Sequence, residues 1–213
     1  MDIVLFGASG MIGSRILQEL LARGHKVTAV VRDPSRVAKA PGVSALQGDL
    51  TDASKVANYL EGADAVISAY NPGQGTERRL LQATEALLAG ARQAGVARVI
   101  MVGGAASLFV APGVTLLESG HLPEQWLAIG QAHSDALSLL RNSETAADLD
   151  WTYFSPAAFI QPGERTGKFR LGKDELVVDG QGQSRISAED YAIALVDELE
   201  HPRHVQQRFT IGY

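Results

Sequence analysis

Residues 4–17, VLFGASGMIGSRIL, set three evenly spaced glycines, Gly7, Gly10 and Gly13, between an apolar run and a helical pattern. The preceding run, DIVLF at 2–6, shows no polar alternation, as expected for a strand buried on both faces. The following run, 11–24, spaces Ile12, Ile16, Leu17, Leu20 and Leu21 at helical intervals and stops at Gly24. Strand, turn and helix together read as the start of a βαβ unit. Glycines in that turn let the chain reverse sharply, admit a pyrophosphate close to backbone N–H groups, and allow tight helix–strand packing. The helix N-terminus adds free amides and a partial positive charge. Gly7, Ala8, Ser9, Gly10, Met11, Ile12 and Gly13 are therefore the candidate dinucleotide cradle. The competing reading is a tight turn with no ligand.

Working outward, apolar runs at 26–32, 43–49, 63–69, 97–104 and 150–156 read as further strands. Helical patterns at 52–62, capped by Asp52, and at 76–95 fall between them, and 33–40 is a short helical or irregular piece. This alternation predicts an α/β Rossmann-type, doubly wound and mainly parallel sheet with helices on both faces. A helix over 123–146, a hairpin or pair of short strands over 167–184, a helix over 187–201 opening on a capping-box-like Ser187/Asp190 spacing, and a strand over 207–213 complete the chain. A single domain is expected over 1–213, with residues about 155–190 forming a small substrate-side elaboration.

Composition narrows the classes. The chain has 213 residues, 46% apolar and 20% charged, with a formal net charge of -5. That balance gives no electrostatic case for a nucleic-acid or anionic-membrane partner. There is no Cys, which removes disulfides, thiolate metal sites and cysteine catalysis. No His, Asp or Glu cluster has metal-ligand spacing. The opening MDIVLFGASG has no basic segment before its apolar run, so a cytoplasmic location is expected, as a monomer or homodimer.

The end of the second strand, VVRDPSR, chooses between dinucleotides. An acidic side chain there would bond the NAD ribose, whereas an Arg suits the NADP phosphate through its fork of donors. Arg32 and Arg36 favour NADP(H) over NAD(H). Asp33 lies one residue away and would bring a carboxylate to the ribose if it faced the ligand. Further strand ends line the same crevice: Asp49 and Leu50, Ala69 and Tyr70, Gly103 and Gly104, then Ser155, Pro156 and Ala157.

The Gly-x-x-Gly-x-x-Gly spacing resembles that of extended and atypical short-chain dehydrogenases/reductases. Nearly the whole chain is similar to the atypical reductases known as NADH-flavin reductases, related to flavin/biliverdin reductase and to NmrA-like regulators. The carrying stretches are FGASGMIGSRI (6–16), VGGAASL (102–108), DWTYFSPAAFIQPGERTGKFRLG (150–172) and SRISAEDYAIALVDELEHP (184–202). Short-chain dehydrogenases usually carry Tyr-x-x-x-Lys, but none of Lys26, Lys39, Lys55, Lys168 and Lys173 has a tyrosine four residues earlier. This departure argues against alcohol–ketone chemistry and sugar epimerisation, though not against hydride transfer. The resemblance implies an NAD(P)H-dependent reductase of a small-molecule acceptor, with flavin as substrate rather than bound prosthetic group. A non-catalytic redox sensor of the NmrA-like type is the alternative. The resemblance also places Ser107 near an active-site serine. His133, with its ordinary pKa near neutral, is a candidate proton donor. Tyr70, Phe109, Trp126 and Phe159 are candidates for stacking on an acceptor, although core packing is the expectation for Trp126 and Phe159.

Overall fold

Strand β1 (Asp2–Phe6) alternates between two cores: Ile3 and Leu5 face one, Val4 and Phe6 the other. Such a strand has no solvent face, which explains its unbroken apolar sequence. The computed structural model describes all 213 residues. It surrounds β1 with β2 (Lys26–Val31), β3 (Val43–Gln47), β4 (Ala65–Ser68), β5 (Arg98–Val102), β8 (Asp150–Ser155) and β12 (Gln207–Gly212). The order across the sheet is β3-β2-β1-β4-β5-β8-β12, all parallel, with β10 (Arg170–Gly172) antiparallel at one edge. The expected Rossmann-type architecture is borne out. The order reverses between β1 and β4, and ligands of such sheets bind outside the strand C-termini at that point.

Helices α1 (Met11–Ala22) and α6 (Ala188–Glu200) cover one face, burying Ile16, Leu20, Leu195 and Val196. Helices α2 (Ala53–Leu60), α3 (Arg79–Ala94) and α4 (Glu124–Asn142) cover the other with Val56, Leu60, Leu87, Ala91, Leu137 and Leu140. Within the first core Phe154 stacks between Tyr191 and Phe209, with ring centroids 4.2 and 4.0 Å away. No helix is long and apolar enough to cross a membrane.

Three local expectations are corrected. The helix expected over 123–146 breaks at Ser143, whose extended backbone and hydroxyl instead cap α5 (Glu144–Ala147) by accepting from Thr145 N at 3.1 Å. Asp52 precedes α2 but does not cap its amides. Its carboxylate takes the Ser54 hydroxyl (2.6 Å) and the Lys55 ammonium (2.9 Å). The stretch 33–40, expected to be short helical or irregular, is both: a single 3-10 turn, Pro34–Arg36, followed by irregular chain. In place of the hairpin or pair of short strands expected within 167–184 there is one strand, β10, which pairs with β12 and covers an edge otherwise left open. Two small sheets were not expected. A hairpin joins β6 (Phe109–Ala111) and β7 (Val114–Thr115), and β9 (Phe159–Gln161) pairs in parallel with β11 (Arg185–Ser187). Ser187 does cap α6, accepting from Asp190 N at 3.0 Å.

Candidate active site

Gly7 ends β1 at φ +79°, where a Cβ would lie 2.4 Å from the Ala69 carbonyl oxygen at the end of β4. Only glycine fits that approach at the point where the strand order reverses. Gly13 packs the first turn of α1 onto the same turn, where a Cβ would lie 2.1 Å from Gly7 O. Gly10 differs: its Cβ would meet nothing within 4 Å except Gly7 O at 3.3 Å, and it lines the cleft. Gly10 is also the N-cap of α1, with no side-chain cap and no acidic residue in the first turn. The first bond of the helix runs from Ser14 N to Gly10 O, so the amides of Met11, Ile12 and Gly13 have no protein acceptor. An open glycine beside three unsatisfied amides is the cradle a pyrophosphate requires, and these residues fit a dinucleotide.

Beyond β2, Asp33 turns back on its own chain, accepting from Ser35 N (3.0 Å) and Ser35 Oγ (2.7 Å) to cap the 3-10 turn. Arg32 and Arg36 are exposed, and neither guanidinium makes a hydrogen bond or ion pair. Asp49 is held by its own neighbours: it accepts from Thr51 N and Oγ1 (3.0 and 2.8 Å) and pairs with Arg79 at 2.9 Å. The side chains of Ala8, Leu50 and Ser155 are buried, so these positions can present only main chain to a ligand. Ser155 Oγ has no partner at all.

A cleft of about 1660 Å³ runs from the glycine turn across the strand ends. It brings together Gly10, Met11, Ile12, Gly13, Ala69, Tyr70, Gly103, Gly104, Pro156, Ala157 and His133. Ser107 is not on its wall. The Ser107 hydroxyl accepts from Arg208 Nη1 at 3.1 Å, and Arg208 is itself held by Asp174, with Nε to Oδ1 at 2.8 Å. That reading of Ser107 is corrected, because its oxygen points into a structural ion pair.

His133 needs a different correction. Tyr153 donates its one hydroxyl proton to the His133 carbonyl (2.8 Å), so its oxygen accepts from Gly104 N (3.2 Å) and from His133 Nδ1–H (3.2 Å). The imidazole proton therefore sits on Nδ1, and Nε2 carries a lone pair. Nε2 has no partner in the protein and is not sealed from solvent. Burial pushes the His133 pKa down to about 4, so the ring is a neutral acceptor at physiological pH, not an acid. Stability follows with a definite sign. An unfolded His133 takes up a proton near pH 6.5, which the folded ring refuses until about 4, so stability is full above 6.5 and falls on acidification through that window. Urea midpoints measured against pH should show this slope. His133→Gln should flatten it by up to one proton, leaving only the carboxylate-driven loss at lower pH.

Trp126 and Phe159 are corrected too: they are 54% and 72% exposed and line the cleft rather than the core. One wall of the cleft is the segment 162–168, part of the stretch 155–190 expected as a substrate-side elaboration. Gly163 N donates to Glu189 (2.7 Å), the Thr166 and Gly167 amides both donate to Asp190 (2.8 Å), and Arg165 reaches Glu19 on α1 (2.9 Å). Burial opposes charge on Asp190, but these donors outweigh it and hold its carboxyl below the usual range. The signal in sequence was Asp190, which reads from its spacing to Ser187 as a helix-capping feature.

The NAD(P)H-binding family profile matches residues 7–202, beginning at the first glycine of the turn. The chain belongs to this NAD(P)H-binding family. It is 39% identical over 214 residues to the Bacillus subtilis protein YwnB, covering 99% of this chain and 98% of that one. Among solved structures, a candidate epimerase from Bacteroides thetaiotaomicron shares 47% identity at a TM-score of 0.93, covering 100% of this chain and 96% of that one. A candidate NADH-flavin reductase from Streptococcus pneumoniae shares 33% identity at a TM-score of 0.87, covering 100% and 99%.

Proposed function

We propose that this protein is an NAD(P)H-dependent reductase that delivers hydride to a flavin or similar conjugated small molecule, with NADPH as the preferred donor. The observation that carries the reading is the continuity of one cleft: a dinucleotide cradle at one end opens onto an apolar chamber walled by α4 and β9. The nicotinamide, when bound, supplies the hydride, and such a transfer to a flat acceptor needs orientation and exclusion of water more than a protein acid. The chain's own residues match that demand. The Met11, Ile12 and Gly13 amides hold the phosphates, and Gly103 and Gly104 after β5 let Tyr153 and His133 pack directly against the main chain that lines the cleft. The similarity to the streptococcal NADH-flavin reductase candidate supports the same reading.

NADPH preference rests on the unpaired Arg32 and Arg36 and on the Asp33 carboxylate spent in its own turn. Arg32→Ala should lower the NADPH-over-NADH affinity ratio about tenfold, the scale of one charge-assisted contact. A ratio equal to the parent's would remove Arg32 from phosphate recognition. The activity itself is tested by following nicotinamide absorbance with NADPH and NADH, with and without FMN, after binding of each is confirmed by fluorescence. Flavin-dependent oxidation over many turnovers is expected. Tight binding without oxidation by flavins, quinones or azo dyes would make the protein a redox sensor instead.

A further inference from the structure

The cleft, at about 1660 Å³, exceeds the roughly 300–1,000 Å³ of a site for one small ligand, and its two ends differ in chemistry. The glycine end offers amides. At the other end two large aromatics, Trp126 and Phe159, stand open to solvent inside the same cleft. Exposed aromatics gathered in a concave site mark a surface that a ligand covers.

Helix α4 arranges this end. Trp126, Ile129, Gly130 and His133 follow the i, i+3, i+4, i+7 spacing of one helix face, and all four line the cleft. Trp126 and His133 are two turns apart, about 10 Å along the axis, a span comparable with a fused multi-ring system. Between them Gly130 lets the helix pack closely on the loops behind it: a Cβ there would lie 3.0 Å from the Ala106 side chain and 3.1 Å from that of Leu122. At the inner end of this stripe His133 presents Nε2, a hydrogen-bond acceptor whose tautomer is set by Tyr153. An acceptor at the end of an apolar slot is left unpaired by any ring that brings no donor.

The geometry points to the α4–β9 end of the cleft as a subsite for a flat, fused heteroaromatic ring that carries an N–H on its edge. Trp126 and Phe159 lie against its faces, and His133 Nε2 accepts the ring N–H. The inference rests on the reductase reading only for the role of the occupant, as hydride acceptor. It favours ligands with an imide-type ring N–H, as in flavins, over quinones and azo dyes, which have none. His133 acts here as a specificity-determining residue.

The test compares lumiflavin with 3-methyllumiflavin, which share a ring system and differ at the imide nitrogen. Each is titrated into the full-length protein saturated with NADP⁺, and tryptophan fluorescence is followed. Trp151 is buried, so quenching reports on Trp126, and Trp126→Phe should remove most of the signal. Lumiflavin should bind at least tenfold more tightly than its methyl derivative. His133→Leu should bring lumiflavin down to the methyl derivative's affinity and leave the latter unchanged, while Phe159→Ala should weaken both alike. Equal affinities in the parent protein, or full discrimination retained in His133→Leu, would overturn the subsite. If His133→Leu fails to fold, the two ligands on the parent protein decide the matter. Discrimination without turnover would overturn the reductase reading and keep the subsite. Turnover without discrimination would do the reverse.

Discussion

Gly13→Ala should lose tight NADPH binding and thermal stability together, whereas Gly10→Ala should lose binding alone. The Cβ at position 13 would sit 2.1 Å from Gly7 O and 2.8 Å from Gly7 C, both backbone atoms of the turn, so no side chain can move aside. Relief requires α1 to shift away from β1, which carries Ile16, Leu17 and Leu20 in the core. Overpacking of this kind costs about 3 kcal/mol. In a chain of this length that corresponds to a fall in Tm of about 6–12 °C. The shift also displaces the Met11, Ile12 and Gly13 amides, and binding should weaken about a hundredfold, some 2.7 kcal/mol. Gly10 has an ordinary extended backbone, φ -79° and ψ 171°, and a Cβ there meets only Gly7 O at 3.3 Å. Its replacement by Ala should change stability by less than about 1 kcal/mol. The methyl would instead occupy the floor of the cradle. Thermal melts paired with fluorescence binding separate the two variants, and a Gly13→Ala protein with parental Tm and affinity would refute the packing argument.

The largest loss of stability should come from Glu198→Ala, far from the cleft. Arg98 opens β5 and Glu198 lies in the last turns of α6, at the opposite ends of the strands from the glycine turn. Both are nearly inaccessible, with side chains 10% and 4% exposed. Glu198 accepts from Arg98 Nη2 (3.2 Å), Arg203 N (3.0 Å), His204 N (2.8 Å) and His204 Nδ1 (2.8 Å). Removing it takes the ion-pair partner from a buried guanidinium and strips the 201–206 turn of its anchor. Breaking one side of a buried pair costs about 3–5 kcal/mol. Replacing both partners by apolar residues, Arg98→Met with Glu198→Leu, should recover much of that loss, because the uncompensated charge goes with its partner. Urea denaturation reads both effects. NADPH affinity of the folded Glu198→Ala protein should match the parent's, since no element of the cradle is involved. A parental urea midpoint would show that water or another group takes over the role of Glu198.

The parallel α/β architecture was legible in the chain because it depends on chemistry that repeats locally. Strands such as AVIS at 65–68 and RVIMV at 98–102 are buried along their whole length, and a strand covered on both faces must be apolar at nearly every residue. The glycine turn was legible for the same reason: the close approaches at Gly7 and Gly13 involve backbone only a few residues away or on the adjacent strand.

What only the tertiary structure decided depends on partners distant in sequence. Segments 159–161 and 185–187 form a sheet with each other, and 170–172 pairs with 210–212, yet three-residue strands carry too little periodicity to announce a partner. Ser107 and His133 looked alike as candidate polar groups. Arg208, 101 residues beyond Ser107, turns that serine away from the cleft, while Tyr153 and burial make His133 a neutral acceptor facing it. Trp126 and Phe159 looked like core residues because an aromatic side chain is the same in a core or a cleft, and only the placement of α4 and β9 along the cleft leaves them open. The sequence by itself determined which segments form the strands and helices of the main sheet and where its glycine turn lies, because burial and backbone sterics are properties of short stretches. The direction, protonation and exposure of the side chains around that turn came from the tertiary structure, because each depends on a group that only folding brings near.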